Sequence, residues 1–325
     1  MTDQRDPVEA GLGSTYDLYD IADWEVRTRL DRLAVAVHSG LRRVGRWALI
    51  AAALAIFAAQ LGFSAYASAI RPSLGALTVL STVPALLLVG YIWYGDPTNR
   101  EPVDTIAITF LLGVLFASFA AVANSVLQVA FRLVPVVGMG LFFYLVVGPV
   151  EETVKWLAVR VHAFDTDDFD AVIDGAVYGA VAGLGFATIE NALYITQEVF
   201  RATQSAGVAP LRAGVSTATS RAFAGPGHVI YSAFAGYYLG LAKFNAENAG
   251  PIAVKGLLIA AFIHGTYNTL VTYLPFGIGT VSSELTFFGF IVVFDGVVLY
   301  ALYRKLRRYR SHHQQAVEGS DTASN

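Results

Sequence analysis

Residues 136–160 read VVGMGLFFYLVVGPVEETVKWLAVR, an apolar run of membrane-spanning length that carries Glu151, Glu152 and Lys155 in its second half. Three later apolar runs repeat the pattern: Glu190 with Asn191, then His228, then His264 with Asn268. A charge at the bilayer centre costs about 2.5–3.5 kcal/mol on insertion scales, so such groups face one another or a wet cavity and mark function. These side chains are the catalytic candidates.

Around them the 325-residue chain is 55% hydrophobic and only 14% charged, where soluble domains carry about 25% charged residues. This is the composition of a membrane protein. Twenty-two basic residues against 25 acidic ones give a net charge of −3, which speaks against nucleic acid as a partner. The lack of cysteine excludes disulfides, thiolate nucleophiles and Cys-based zinc sites. Any nucleophile or metal ligand is then Ser, Thr, His or a carboxylate.

A helix needs about 20 residues to cross the hydrocarbon core. Apolar runs of that length begin near Trp47, Leu74, Val103, Val136, Ala171, Val215, Ile252 and Leu285. The expected fold is therefore all-α, a polytopic membrane helix bundle of about eight transmembrane helices. Ahead of it lie some 46 polar residues, too long and too acidic for the basic n-region of a signal peptide. Within them residues 20–45 place Ile21, Trp24, Leu30, Leu33, Val37, Leu41 and Val44 at helical spacing. That pattern predicts an amphipathic helix, either lying at the interface or packed on the membrane domain. Three parts follow: a polar tail and amphipathic helix at 1–46, of which 1–19 is expected to be disordered; a transmembrane domain at 47–310; and a disordered polar tail at 311–325. Counted over the loops, Lys and Arg crowd onto the side of the termini, leaving Arg71, Arg132, Arg201 and Arg212 on the other. The positive-inside rule then places both termini in the cytoplasm and the protein in the cell membrane.

Small residues lead to the polar ones at helical spacing: Gly175, Gly179, Gly183 and Ala187 before Glu190; His228, Ser232, Gly236 and Gly240; Gly256, Ala260, His264 and Asn268. Small faces permit close helix approach where lipid supplies no hydrophobic drive. Four helices packed by these faces would bring Glu151 or Glu152, Glu190, His228 and His264 to one pocket, with Lys155 offsetting carboxylate charge. Because the glutamates fall in the inner half of their span, the pocket is expected to open toward the cytoplasm. Pro149 further leaves the Leu145 carbonyl without its usual backbone donor.

The same residues resemble the PrsW family of intramembrane proteases, distant relatives of the CAAX-processing and bacteriocin-processing membrane proteases. The resemblance runs from about Pro149 to Asn268. It is carried by E-E-x-x-K at Glu151, Glu152 and Lys155, by D-G-A-V-Y-G from Asp174 leading to G-F-A-T-I-E-N at Glu190 and Asn191, by G-P-G-H ending in His228, and by H-x-x-x-N at His264 and Asn268. The chain departs from the wider CAAX pattern in two places. Lys155 stands one position earlier than the usual arginine, and Phe186 is followed four residues on by Glu190 where those relatives carry histidine.

The resemblance implies peptide-bond hydrolysis in a membrane-anchored protein, of the kind that cuts an anti-sigma factor in regulated proteolysis. On the residues themselves, Glu151 is the expected general base. His228 and His264 are expected to orient water or protonate the leaving amine, and Asn268 to donate to the oxyanion, with Glu152 and Glu190 able to share these roles. Glu151, Glu190, His228 and His264 also form a set of N and O donors for Zn2+. Two rival classes use the same groups: a metal-dependent hydrolase of lipid amides, and a proton- or ion-coupled transporter.

Overall fold

The computed structural model describes residues 6–12, 16–41, 72–98, 100–204, 209–274 and 282–323. Nine helices fill these residues: α1 Pro7–Leu12, α2 Arg29–Leu41, α3 Pro72–Tyr94, α4 Val103–Arg132, α5 over 138–160, α6 Val172–Gln204, α7 Pro210–Phe244, α8 Ala249–Tyr273 and α9 Ser283–Ala323. No strand forms among the described residues. The fold is an all-α membrane helix bundle. Five segments are long and apolar enough to cross a bilayer: Ser73–Tyr94, Val103–Arg132, Val172–Gln204, Ala246–Tyr273 and Ser283–Ala316. The count of eight is not reached on this measure, because α5 is broken and α7 is rich in Gly, Ser and Thr; the span expected from Trp47 lies outside the described residues.

The bundle is built inside out. In α6 89% of the most apolar stretch is buried, against 22% in α3, α4 and α9, so the helix with small and polar residues forms the axis while the greasier ones face lipid. Glycine makes this possible. A Cβ at Gly175, Gly179 or Gly183 would be driven into the carbonyls of Gly236, Ser232 and His228 in turn. The backbones of α6 and α7 therefore touch along three turns. On the other flank Gly185 meets the Phe110 carbonyl of α4.

Helix α5 consists of Gly138–Phe142, a π-helical turn at Phe143–Val147 and Gly148–Arg160. Pro149 cannot donate a backbone hydrogen bond, and its ring would press on the carbonyl four residues earlier. The wider turn relieves that pressure, with the Gly148 N–H donating to the Phe143 carbonyl. Such π-turns concentrate at functional sites, and this one precedes Glu151 by four residues.

Both polar ends depart from expectation. The amphipathic helix begins only at Arg29, because Thr28 and Asp31 close a capping box: the Asp31 N–H donates to Thr28 Oγ1 at 3.1 Å and the Thr28 N–H to Asp31 Oδ2 at 2.5 Å. Residues 16–28 instead fold onto the bundle end, burying Leu18, Ile21 and Trp24. Lys255 on α8 holds Asp31 at 2.8 Å and Asp20 at 3.1 Å, while Lys305 on α9 holds Asp20 at 2.7 Å. The disorder expected for residues 1–19 and 311–325 is corrected at 6–12 and 311–323. There α1 packs on α9, whose helix runs on to Ala323. Asp6 fastens this corner, accepting from the Tyr309 hydroxyl at 2.9 Å and the Val172 N–H at 3.0 Å.

Candidate active site

Four helices deliver one polar cluster. From α5 come Glu151, Glu152 and Lys155, from α6 Glu190, from α7 His228 and from α8 His264. All are buried except Glu190, which is partly so. Lys155 Nζ lies 2.7 Å from Glu152 Oε1 and 2.9 Å from His228 Nδ1. His264 directs Nδ1 to Glu152 Oε1 at 2.8 Å and Nε2 toward Glu151 Oε2 at 3.6 Å. His228 Nε2 lies 2.8 Å from Glu190 Oε2. The two imidazoles sit edge to face, centroids 5.2 Å apart.

The two adjacent glutamates differ in what they touch. Glu152 is fully buried and engaged by Lys155, His264 and the Ser232 hydroxyl, the last at 3.2 Å. Glu151 accepts from Asn124 Nδ2 on one oxygen at 2.9 Å, while its Oε2 is buried with no hydrogen-bond partner among the described residues. Glu151, Glu190, His228, His264 and Asn268 line one cavity of about 630 Å³; Glu152 and Lys155 stand behind its wall. These last two hold the others in place without meeting the cavity.

The cavity leads from this floor past Gln128, Gln197, Ser216 and Thr272, toward the ends of α4, α6 and α8 and the start of α7. It therefore opens away from residues 161–171 and 245–248, which lie on the same side as the folded N-terminal segment. The expectation of an opening on the side of the termini is thus reversed. Its error lay in reading the glutamates' depth as the direction of access. A larger apolar groove of about 1010 Å³ between α3 and α4 has no carboxylate, histidine or basic side chain in its lining.

Three site residues escaped the motif reading. Arg221, one helical stretch before His228 on α7, ion-pairs with Glu190 and donates to Asn191 Oδ1 at 2.8 Å. Asn191 in turn donates to Ser81 Oγ at 3.0 Å, so it braces the wall instead of facing the chemistry. Asn124 on α4 holds Glu151, and Asp295 on α9 accepts from the Tyr231 hydroxyl at 2.8 Å beside the His264 ring. An amide, a guanidinium and a carboxylate alone in apolar helices were themselves the signal.

The donor set fits a metal. Ligand atoms of Glu151, His228 and His264 lie within 4.8 Å of one another, and Glu151 carries an oxygen with no hydrogen-bond partner among the described residues. Glu152 on His264 Nδ1 leaves Nε2 as the free ring nitrogen, the carboxylate–histidine arrangement found behind metal ligands.

Residues 101–299 match the family described as PrsW family intramembrane metalloprotease. The chain belongs to the PrsW family. Among its relatives, Protease PrsW of Geobacillus kaustophilus (strain HTA426) is 30% identical over 203 residues, 60% of this chain and 80% of the relative. Protease PrsW of Bacillus subtilis (strain 168) is 31% identical over 206 residues, 61% and 84%. That of Oceanobacillus iheyensis is 29% identical over 231 residues, 70% and 96%. No solved structure matches the chain. This PrsW family member is a multi-pass membrane peptidase, and its substrate is a protein in the membrane.

Proposed function

We propose that the chain is a metal-dependent peptidase that cuts a membrane-anchored protein on the face of the membrane opposite its termini. The observation that carries this reading is the meeting of Glu151, His228 and His264 at the floor of a cavity open to that face. The loop bias in Lys and Arg supports cytoplasmic termini, so the scissile segment arrives from outside the cell. A membrane-anchored regulator of the anti-sigma-factor kind has this geometry, with an outer segment next to its anchor.

Glu151, His228 and His264 are the residues that would hold the ion, of which Zn2+ suits the N and O donors. When bound, such an ion supplies an acidified water and polarises the scissile carbonyl. Glu151 presents to the cavity a carboxylate oxygen with no hydrogen-bond partner among the described residues. Glu152 and Lys155 hold the two histidines by their Nδ1 atoms, Glu190 keeps the His228 ring turned to the cavity, and the Asn268 amide stands one turn beyond His264 to donate to the oxyanion.

The test is cleavage of a membrane-anchored reporter in liposomes, with and without a chelator, beside a lipid-amide substrate. Peptide cleavage that the chelator stops and Zn2+ restores is the expected result. Chelator-insensitive cleavage removes the metal, and preference for the lipid amide removes the peptidase assignment.

A further inference from the structure

A second cluster of carboxylates lies far from the active site. The loop joining α3 to α4 contributes Asp96 and Glu101, and the first turn of α6 contributes Asp174; Glu190 stands sixteen residues further along α6, roughly 24 Å away at 1.5 Å per residue. Oxygen atoms of the three carboxylates lie within 4.8 Å of one another, with Glu101 and Asp174 buried and Asp96 partly so. Each is oriented by its own donors. Asp96 Oδ1 takes the Thr98 N–H at 2.8 Å and hydroxyl at 2.6 Å. Asp174 Oδ2 takes the N–H groups of Asp170 and Ala171, both at 2.8 Å, and Thr98 Oγ1 comes within 3.3 Å of Oδ1.

What remains is unsatisfied. Both oxygens of Glu101 and Asp96 Oδ2 are buried and take no hydrogen bond from another side chain among the described residues, while the Asp96 and Glu101 carboxyl groups face each other within hydrogen-bond reach. Independently, the Tyr178 hydroxyl, one turn past Asp174 on the same face of α6, is also buried and unpartnered. The strongest charges acting on it are those of Glu101 and Asp174. Two cations lie in range, Arg310 near Asp96 and Lys243 near Asp174. Lys243 is committed to the Phe164 and Thr166 carbonyls at 2.7 and 3.2 Å. Three close carboxylates of this kind, withdrawn from water, call for a proton or a cation to offset their charge, and Arg310 reaches only the Asp96 side of the cluster.

We propose that Asp96, Glu101 and Asp174 form a second metal site, for a hard divalent cation that ties the α3–α4 loop to the start of α6. The donors are all oxygen, the preference of Mg2+, Ca2+ and Mn2+, in contrast to the nitrogen-bearing active-site set. The bound ion takes the place of the proton between Asp96 and Glu101 and meets their buried oxygens.

The full-length protein in detergent, stripped with a chelator, is titrated calorimetrically with Mg2+, Ca2+ and Mn2+, and its melting temperature is followed. One saturable site per chain is expected, with a rise in melting temperature. Both should persist in Glu151→Gln and His264→Ala, and affinity should fall at least tenfold in Glu101→Gln and Asp174→Asn. Mn2+ bound there should show no nitrogen coupling in pulsed paramagnetic resonance. Absence of saturable binding of all three ions to the wild-type chain overturns the proposal. So does binding indifferent to Glu101→Gln and Asp174→Asn, or a Glu101→Gln chain as stable without ions as the wild type is with them, which would assign the cluster to a shared proton. Should a variant fail to fold, the wild-type titration and the nitrogen coupling decide alone.

Discussion

His264 Nδ1 lies 2.8 Å from Glu152 Oε1, and both side chains are buried. This contact divides the labour of two adjacent glutamates: Glu152 fixes a ring from behind, while Glu151 presents a free oxygen to the cavity from the same helix turn.

Glu151→Gln keeps shape and can still meet Asn124, but it removes the cavity-facing carboxylate. Cleavage should fall by at least ~100-fold with the melting temperature nearly unchanged. Glu152→Gln removes a positioning residue, for which about 10–100-fold is the usual cost in activity or metal affinity. Measured together, Glu152→Gln should weaken Zn2+ binding in proportion to its loss of rate. A Glu151→Gln enzyme with near-normal cleavage would shift the role to Glu190.

Arg221 sets the position of Glu190. Removing one partner of a fully buried ion pair costs about 3–5 kcal/mol; this pair is part-buried, so Arg221→Gln should lower the melting temperature by a smaller but measurable amount. Glu190→Gln made in the same chain should restore much of the stability by removing the stranded charge, yet leave kcat low because His228 has lost its carboxylate. Recovery of both stability and kcat in the double variant would show that Glu190 takes no part in the reaction.

The sequence carried the convergence of Glu151, Glu190, His228 and His264, because isolated ionisable groups in apolar helices have few places to go, and the Gly175–Gly183 and Gly236–Gly240 faces told which helices touch. It did not carry the direction of the cavity. That depends on where Gln128, Gln197, Ser216 and Thr272 gather, and moderately polar residues near helix ends look alike whether they line a channel or an interface. The folded N-terminal segment was equally hidden, since its anchors Lys255 and Lys305 lie more than 220 residues away in the chain.

Gly183 sits where α6 and α7 touch, and a Cβ added there would run into the His228 carbonyl. Gly183→Leu should separate the helices, lowering melting temperature and cleavage together, with overpacking costing about 1–3 kcal/mol or more. Loss of cleavage at unchanged stability, as expected of Glu151→Gln, would contradict a packing role.

Asp31 gives the N-terminal segment a pH dependence. Burial alone would raise its carboxyl, but Lys255, Tyr19 and the Thr28 donors hold it well below the ordinary carboxylate range. A lowered folded value means that the stabilisation is complete above the unfolded value of about 3.9 and is lost as the pH falls below it. Proteolysis or hydrogen exchange at residues 16–28 should therefore rise on acidification below about pH 4. Asp31→Asn should show that exposure already at pH 7 and respond less to acid; an identical acid response in the variant would assign the effect elsewhere.

Access to the site can be read directly because the chain contains no cysteine. Gln197→Cys and Thr272→Cys line the cavity toward its mouth, whereas Thr166→Cys lies in the loop between α5 and α6 at the other end of the bundle. In intact cells a membrane-impermeant maleimide should label the first two and spare the third, and a peptide inhibitor added outside should protect Gln197→Cys. Labelling of Thr166→Cys alone would invert the topology, placing the termini outside and the mouth of the cavity in the cytoplasm. The chemistry at Glu151 would be unaffected by that result, but the scissile segment would then have to come from the cytoplasmic part of the substrate.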